Sequence, residues 1–290
     1  MSDAMATNAL TLPASELALL DARFPACDVP VGGGAVVSVR EHGAGPALVC
    51  LHGIGSGAAS WLNVALLLAP KARVIAWDAP GYGESTPLAP AAPSAADYAD
   101  RLHALLDALD VHSCVLVGHS LGALTAASAA RKDSAIASRI RRLVLISPAA
   151  GYGAPSRAEA RTKVRAERLA TLEELGIAGM ASKRAGRLVS DGASELARQW
   201  VRWNMARLND GGYRQAVELL CHGDLLADLP PAMPVRVACG TLDVVTMPQA
   251  CAEVARSCGV TLEAIDGAGH ASYVERPEAV AALLREALAD

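Results

Sequence analysis

Ser120 stands at the centre of Gly118-His119-Ser120-Leu121-Gly122, a G-x-S-x-G spacing. The chemistry explains the pattern. A nucleophilic serine on a sharp strand-to-helix turn is exposed and its backbone is strained, and glycines two residues to either side remove Cβ atoms that would collide there. An apolar run, Ser113 to Val117, precedes the pentapeptide, and the Ala-rich stretch LGALTAASAAR follows it. The N–H groups at the start of such a helix point toward a developing oxyanion. These residues suit nucleophilic attack on a carbonyl.

A serine hydroxyl is a weak nucleophile and needs a neighbouring base. Among seven histidines, His270 lies in GAGHASYVERPE, directly after the last apolar run, where a loop can carry it over Ser120. His119 is expected to point away from the nucleophile and pack. His52, in HGIG, is expected to order its own loop. His42, His103, His112 and His222 stand in no motif. The base in turn needs an acid to hold its tautomer. Asp243, in CGTLD, lies between Ser120 and His270 in the chain, and Ser, Asp, His is the order this arrangement uses. The preceding turn, Ser147-Pro148-Ala149, offers no acid. Asp266 is too close to His270 along the chain, and Asp224 and Asp228 fall at the end of an insertion. Two N–H groups are expected to hold the oxyanion. One is that of Leu121, after the nucleophile. The other is that of Ile54, in the loop His52-Gly53-Ile54-Gly55.

The elements that must position these residues follow a rhythm. Apolar runs at Ala47–Leu51, Arg73–Trp77, Ser113–Val117, Leu143–Ile146, Val235–Cys239 and Leu262–Ile265 each lead into a Gly-rich or polar turn. Short β-branched runs alternating with helical stretches imply βαβ units and a mostly parallel sheet. Every candidate residue lies just after a strand, so all should gather at the carboxyl edge of that sheet. The rhythm breaks from about 153 to 229, which reads as a helical cap inserted into a core made of residues 1–152 and 230–290. Residues 1–29 read as an N-terminal extension with a short helix from Ser15 to Arg23, and a hairpin is expected around Gly32-Gly33-Gly34.

Composition sets limits on the remainder. Of 290 residues, 52% are apolar and 19% charged, enough to build a large core, with a single Phe, so Leu, Val, Ile and Ala must fill it. A net charge of −4 without a basic face argues against nucleic-acid binding. Seven cysteines, with no C-x-x-C pair, read as buried small hydrophobes in a reducing compartment, notably Cys50, Cys114 and Cys239. The start of the chain lacks a basic region followed by an apolar stretch, and no run approaches bilayer length, so a cytoplasmic protein without membrane contact is expected. No metal site and no cofactor are expected, and a monomer or homodimer fits.

Together these motifs resemble the α/β-hydrolase superfamily, in its serine-nucleophile branch. HGIG resembles its oxyanion loop, WDAPGYGES its D-x-P-G-x-G-x-S loop, GHSLG its nucleophile elbow, GTLD its acid turn and GAGHASYVERPE its histidine loop. The resemblance covers roughly residues 30 to 150 and 230 to 290. Asp78, Pro80, Gly81 and Gly83 are then structural. Ser at 120 sets the chain apart from haloalkane dehalogenases and soluble epoxide hydrolases, which use an aspartate. The layout is similar to the enol-lactonase and meta-cleavage-product hydrolase group, whose elbow often reads Ser-Met-Gly-Gly where this chain has Ser120-Leu121-Gly122-Ala123. The resemblance implies hydrolysis of a small-molecule ester or lactone through an acyl-enzyme. Carbon–carbon bond hydrolysis, cofactor-free peroxidase chemistry and a non-catalytic binding role are the alternatives.

The cap should set specificity. Trp200, Trp203 and Met205 lie close together and are candidates to line an acyl pocket, although packing of the cap against the core also fits them. Arg157, Arg161, Arg165 and Arg168 share a helical face. That face is expected to be solvated and paired with Glu159 and Glu167, with an anion-attracting face as the alternative.

Overall fold

In the computed structural model the described residues run from 10 to 289. The strands are β1 (Ala26–Pro30), β2 (Val36–His42), β3 (Ala47–Leu51), β4 (Arg73–Trp77), β5 (Cys114–His119), β6 (Ile140–Ile146), β7 (Val235–Gly240) and β8 (Leu262–Ile265). The helices are α1 (Ala14–Arg23), α2 (Leu62–Leu68), α3 (Ala95–Ala108), α4 (Gly122–Ala130), α5 (Ala158–Arg184), α6 (Glu195–Ala206), α7 (Asp210–His222), α8 (Pro248–Ser257), α9 (Ser272–Glu275) and α10 (Pro277–Ala289). One eight-stranded sheet has the order β1-β2-β4-β3-β5-β6-β7-β8. From β4 onward in that order neighbours pair parallel, while β1 with β2 and β2 with β4 pair antiparallel.

Strand side chains alternate between two apolar layers, as a sheet covered on both faces requires. Val49 and Leu51 of β3, Leu116 of β5, and Leu143 and Leu145 of β6 enter one layer. Leu48, Cys50, Val115, Val117, Val144 and Ile146 enter the other. All seven cysteines are free thiols, and Cys50, Cys114 and Cys239 are buried.

Residues 10–29 of the N-terminal segment are built into these apolar layers. Leu20 and Phe24, one helical turn apart, are buried beside Trp61, Leu62 and Val64. β1 forms the sheet edge in the hairpin with β2. The first nine residues of that segment lie outside the described residues.

Between β6 and β7 the described chain holds helices and turns only. α5 is bent where Gly176 takes φ 61°, ψ −177°, and a 3₁₀ turn, Ala185–Leu188, leads away from it. No helix is long and apolar enough to cross a membrane among the described residues.

Candidate active site

The parallel register brings the ends of β3, β5, β6 and β7 level: Leu51 pairs with Gly118, His119 with Ile146, and Ile146 with Ala238. Ser120 is the first residue beyond β5 and has φ 51°, a strained value for a non-glycine residue. It is pinned there. Its N–H donates to the Ile146 carbonyl at 3.1 Å, and its own carbonyl accepts from Ala123 and Ala149, each at 3.1 Å. The flanking glycines are required by close approach. A Cβ on Gly122 would lie 2.5 Å from the Leu51 carbonyl oxygen, and one on Gly118 would lie 2.7 Å from the Ala123 Cα.

His270 and Asp243 converge beside this turn. His270 Nδ1 lies 2.8 Å from Asp243 Oδ2. Burial opposes the Asp243 charge, yet the His270 hydrogen bond and the N–H groups of Val245 and Thr246 outweigh it and bring the carboxyl down to about 2. Those N–H groups donate to Asp243 Oδ1 at 2.7 and 3.0 Å. An ionised carboxylate only accepts, so Nδ1 of His270 carries the proton and Nε2 is left to take one.

Thr246, absent from the sequence reading, completes this corner. Its hydroxyl oxygen lies 2.9 Å from Asp243 Oδ2, 3.0 Å from the Ser147 carbonyl and 3.2 Å from His270 Nδ1. With one proton to give, it donates to one acceptor and turns a lone pair toward the His270 N–H. Glu275, also not anticipated, holds the histidine loop to the cap: it accepts from Gly269 N–H at 2.8 Å and Ser190 N–H at 3.0 Å. Side-chain to backbone contacts of this kind leave no periodic signal in a sequence.

His119 packs, as expected, and also positions. Its Nε2 donates to the His270 carbonyl at 2.9 Å. Burial first, then the neighbouring His270 ring, pushes it down to about 3, so it is neutral near pH 7. His52 orders its loop: Nδ1 donates to the Gly53 carbonyl at 2.8 Å and Nε2 accepts from Ala79 N–H at 3.0 Å. Asp78 is structural, accepting from Ala58 N–H at 2.8 Å.

A cavity of about 380 Å³ opens between this edge and the cap. Ser120, His270, Ile54 and Leu121 line it. Among the described residues neither the Ile54 nor the Leu121 N–H donates to a protein acceptor. The Tyr82 hydroxyl donates to the Ile54 carbonyl at 2.9 Å, which fixes that loop.

The cap residues divide. Met205 lines the cavity, whereas Trp200 and Trp203 do not. The Trp200 indole N–H donates to Glu16 of α1 at 2.9 Å, and its ring meets Trp203 edge-on at 5.5 Å. Trp203 carries the Arg207 guanidinium over its face at 4.5 Å. α6 turns Val201 and Met205 to the cavity, while Trp200 meets the N-terminal helix and Trp203 packs on Trp200 and Arg207. The Arg face divides too. Arg165 pairs with Glu218 rather than with Glu159 or Glu167, and Arg157 and Arg168 reach the cavity.

A family model described as "Alpha/beta hydrolase family" matches residues 48–283. This chain belongs to the α/β-hydrolase family. A Mycobacterium tuberculosis protein described as uncharacterized is 30% identical over 259 residues, covering 82% of this chain and 74% of its own. The 2-hydroxymuconate semialdehyde hydrolase of Pseudomonas sp. strain CF600 is 35% identical over 122 residues, 41% of this chain and 42% of its own. The enol-lactonase of Burkholderia xenovorans LB400 superposes with a TM-score of 0.76 at 23% identity, covering 90% of this chain and all of that one. At that identity the likeness is one of fold.

Proposed function

We propose that this α/β hydrolase cleaves a carboxylic ester or lactone with Ser120 as nucleophile, His270 as general base and acid, and Asp243 as the group that orients His270. The observation that carries the reading is the Asp243–His270 hydrogen bond of 2.8 Å, with His270 and a serine strained at φ 51° lining one cavity.

His270 Nε2 takes the Ser120 proton as Oγ attacks the carbonyl carbon. The carbonyl oxygen gains the charge and is held by the N–H groups of Ile54 and Leu121. Collapse of the tetrahedral species expels the alcohol, which leaves with the proton from His270. In a lactone that alcohol stays attached to the acyl group. Water then gives a proton to His270 and attacks the acyl-enzyme, and the returning proton frees Ser120. Asp243 stays ionised throughout, as its carboxyl near 2 requires. No cofactor enters these steps.

The test is a panel of short-chain to medium-chain aryl esters and small lactones, with wild type beside Ser120→Ala. Turnover that disappears in the variant supports the reading, and equal turnover in both removes Ser120 from it. The match to a relative named 2-hydroxymuconate semialdehyde hydrolase favours a second reading, carbon–carbon hydrolysis at the same serine. Turnover of that semialdehyde with none of the esters would select it.

A further inference from the structure

No Asp or Glu side chain lines the cavity among the described residues, yet Arg157, Arg168, Arg184 and Arg187 all do. Every one of these arginines comes from the cap segment. The hydrogen bonds that three of them donate go to neutral groups. Arg157 donates to the Gly151 carbonyl at 2.8 Å and Arg168 to the Tyr213 hydroxyl at 3.2 Å. Arg184 donates to the Thr171 hydroxyl at 3.4 Å.

Three other arginines of the cap are matched with acids. Arg165 pairs with Glu218 at 2.6 Å, Arg214 with Asp210 at 2.8 Å and Glu173 at 3.3 Å, and Arg202 with Glu195. Among the described residues no ion pair joins a carboxylate to any of the cavity arginines. Carboxylates thus partner Arg165, Arg202 and Arg214, while the cavity lining holds four arginines and no Asp or Glu; Glu167, outside that lining, acts on Arg184 from a distance.

The backbone builds this arrangement. Thr171 and Arg184 are 13 residues apart. Along a straight helix that separation is about 20 Å, beyond the combined reach of the two side chains. They meet because α5 turns back at Gly176. The bend sets Arg184 near Arg168. Burial lowers Arg184 most, Arg168 and Arg187 lower it further, and Tyr213 and Glu167 act the other way.

We infer that Arg168 and Arg184, with Arg187 near them and Arg157 in the same cavity lining, form a subsite for an ionised carboxylate carried by the substrate. The inference rests on the Ser120 reading for the chemistry at the other side of the cavity. The substrate is then an ester or lactone whose acyl part ends in a second carboxylate. Its carbonyl faces Ser120 at the sheet edge, its carboxylate faces the cap, and Met180, Val201, Met205 and Leu220 enclose the apolar stretch between them. Guanidinium groups suit this role because they stay charged and offer forked donors to a carboxylate.

The test compares para-nitrophenyl butyrate with the mono-para-nitrophenyl ester of glutaric acid, on wild type, Arg184→Gln, Arg184→Lys and Arg187→Gln. Arg187 is exposed, so Arg187→Gln is expected to fold even if Arg184→Gln does not. The expected result is a wild-type preference for the anionic ester in kcat/KM. Its ratio to the neutral ester should fall about tenfold or more in Arg184→Gln, as loss of a charge-assisted hydrogen bond predicts, less in Arg187→Gln, and recover in part in Arg184→Lys. A ratio in the glutamine variants within about twofold of wild type, well below the expected loss, overturns the subsite. If neither ester is cleaved, glutarate binding by calorimetry decides. Binding by wild type that Arg184→Gln and Arg187→Gln weaken keeps the anion site while the ester reading falls, and no binding overturns the site.

Discussion

Asp243→Asn changes one atom, and the structure dictates where the change falls. Asp243 Oδ1 accepts two backbone N–H groups, from Val245 and Thr246, at 2.7 and 3.0 Å. An asparagine amide must keep its oxygen there, because an NH₂ group facing two donors would leave all of them unsatisfied. The NH₂ then occupies the place of Oδ2, 2.8 Å from His270 Nδ1. Facing a donor, Nδ1 gives up its proton, and the ring carries it on Nε2 instead. That tautomer presents a hydrogen, not a lone pair, to Ser120. The base is lost while the fold stands. A tautomer reversal of this kind costs about 10⁴ in kcat, or about 5.5 kcal/mol of barrier. The assay is turnover of the best ester from the panel near neutral pH, with thermal unfolding run alongside. The variant should melt near wild type, because the backbone contacts of the side chain persist. A folded Asp243→Asn enzyme within about tenfold of wild-type kcat would refute the reasoning, since such a loss is far smaller than tautomer reversal gives.

Met205→Ala should enlarge the cavity and raise kcat/KM for longer acyl chains relative to short ones, whereas Trp200→Phe should leave the chain-length profile in place; the ester series measures both. Trp203→Ala should act on stability instead, by about 3–5 kcal/mol in chemical denaturation, because the ring is buried in the layer around Trp61. His119 titrates near 3 when folded against an ordinary 6.5, so between those values the unfolded chain binds the extra proton and stability falls as pH drops. His119→Gln should remove about 1.4 kcal/mol per pH unit from that slope, read from denaturation midpoints on the acid side of neutrality. Gly122→Ala places a Cβ 2.5 Å from the Leu51 carbonyl oxygen, so it should lower the melting temperature and slow turnover together.

The runs Ala47–Leu51, Arg73–Trp77 and Leu262–Ile265 have the same bounds as β3, β4 and β8. They are legible because parallel strands buried on both faces read as unbroken apolar stretches closed by glycine turns. The glycine spacing around Ser120 is legible for a similar reason, since backbone crowding at the turn leaves room for no other residue. The cap is less legible. Its helices carry apolar residues on more than one face, and the sequence does not say which face meets α1 and which meets the cavity. Trp200 went to the first and Met205 to the second, and Trp203 packs beside Trp200 away from the cavity. The Arg168–Arg184 pairing depends on a bend at Gly176, and helical periodicity, which assumes a straight axis, cannot show it. Thr246 and Glu275 act through hydrogen bonds to groups distant in the chain or on the backbone, where residue type alone carries little signal.

The central claim is that Ser120 is an activated nucleophile. Its most direct measurement is labelling with a serine-reactive fluorophosphonate, followed by mass spectrometry of the digested protein, for wild type, Ser120→Ala and Asp243→Asn. The account predicts one adduct on the peptide containing Ser120, none in Ser120→Ala, and much slower labelling in Asp243→Asn. An adduct on another residue, or an unlabelled wild-type protein that is folded, would contradict it.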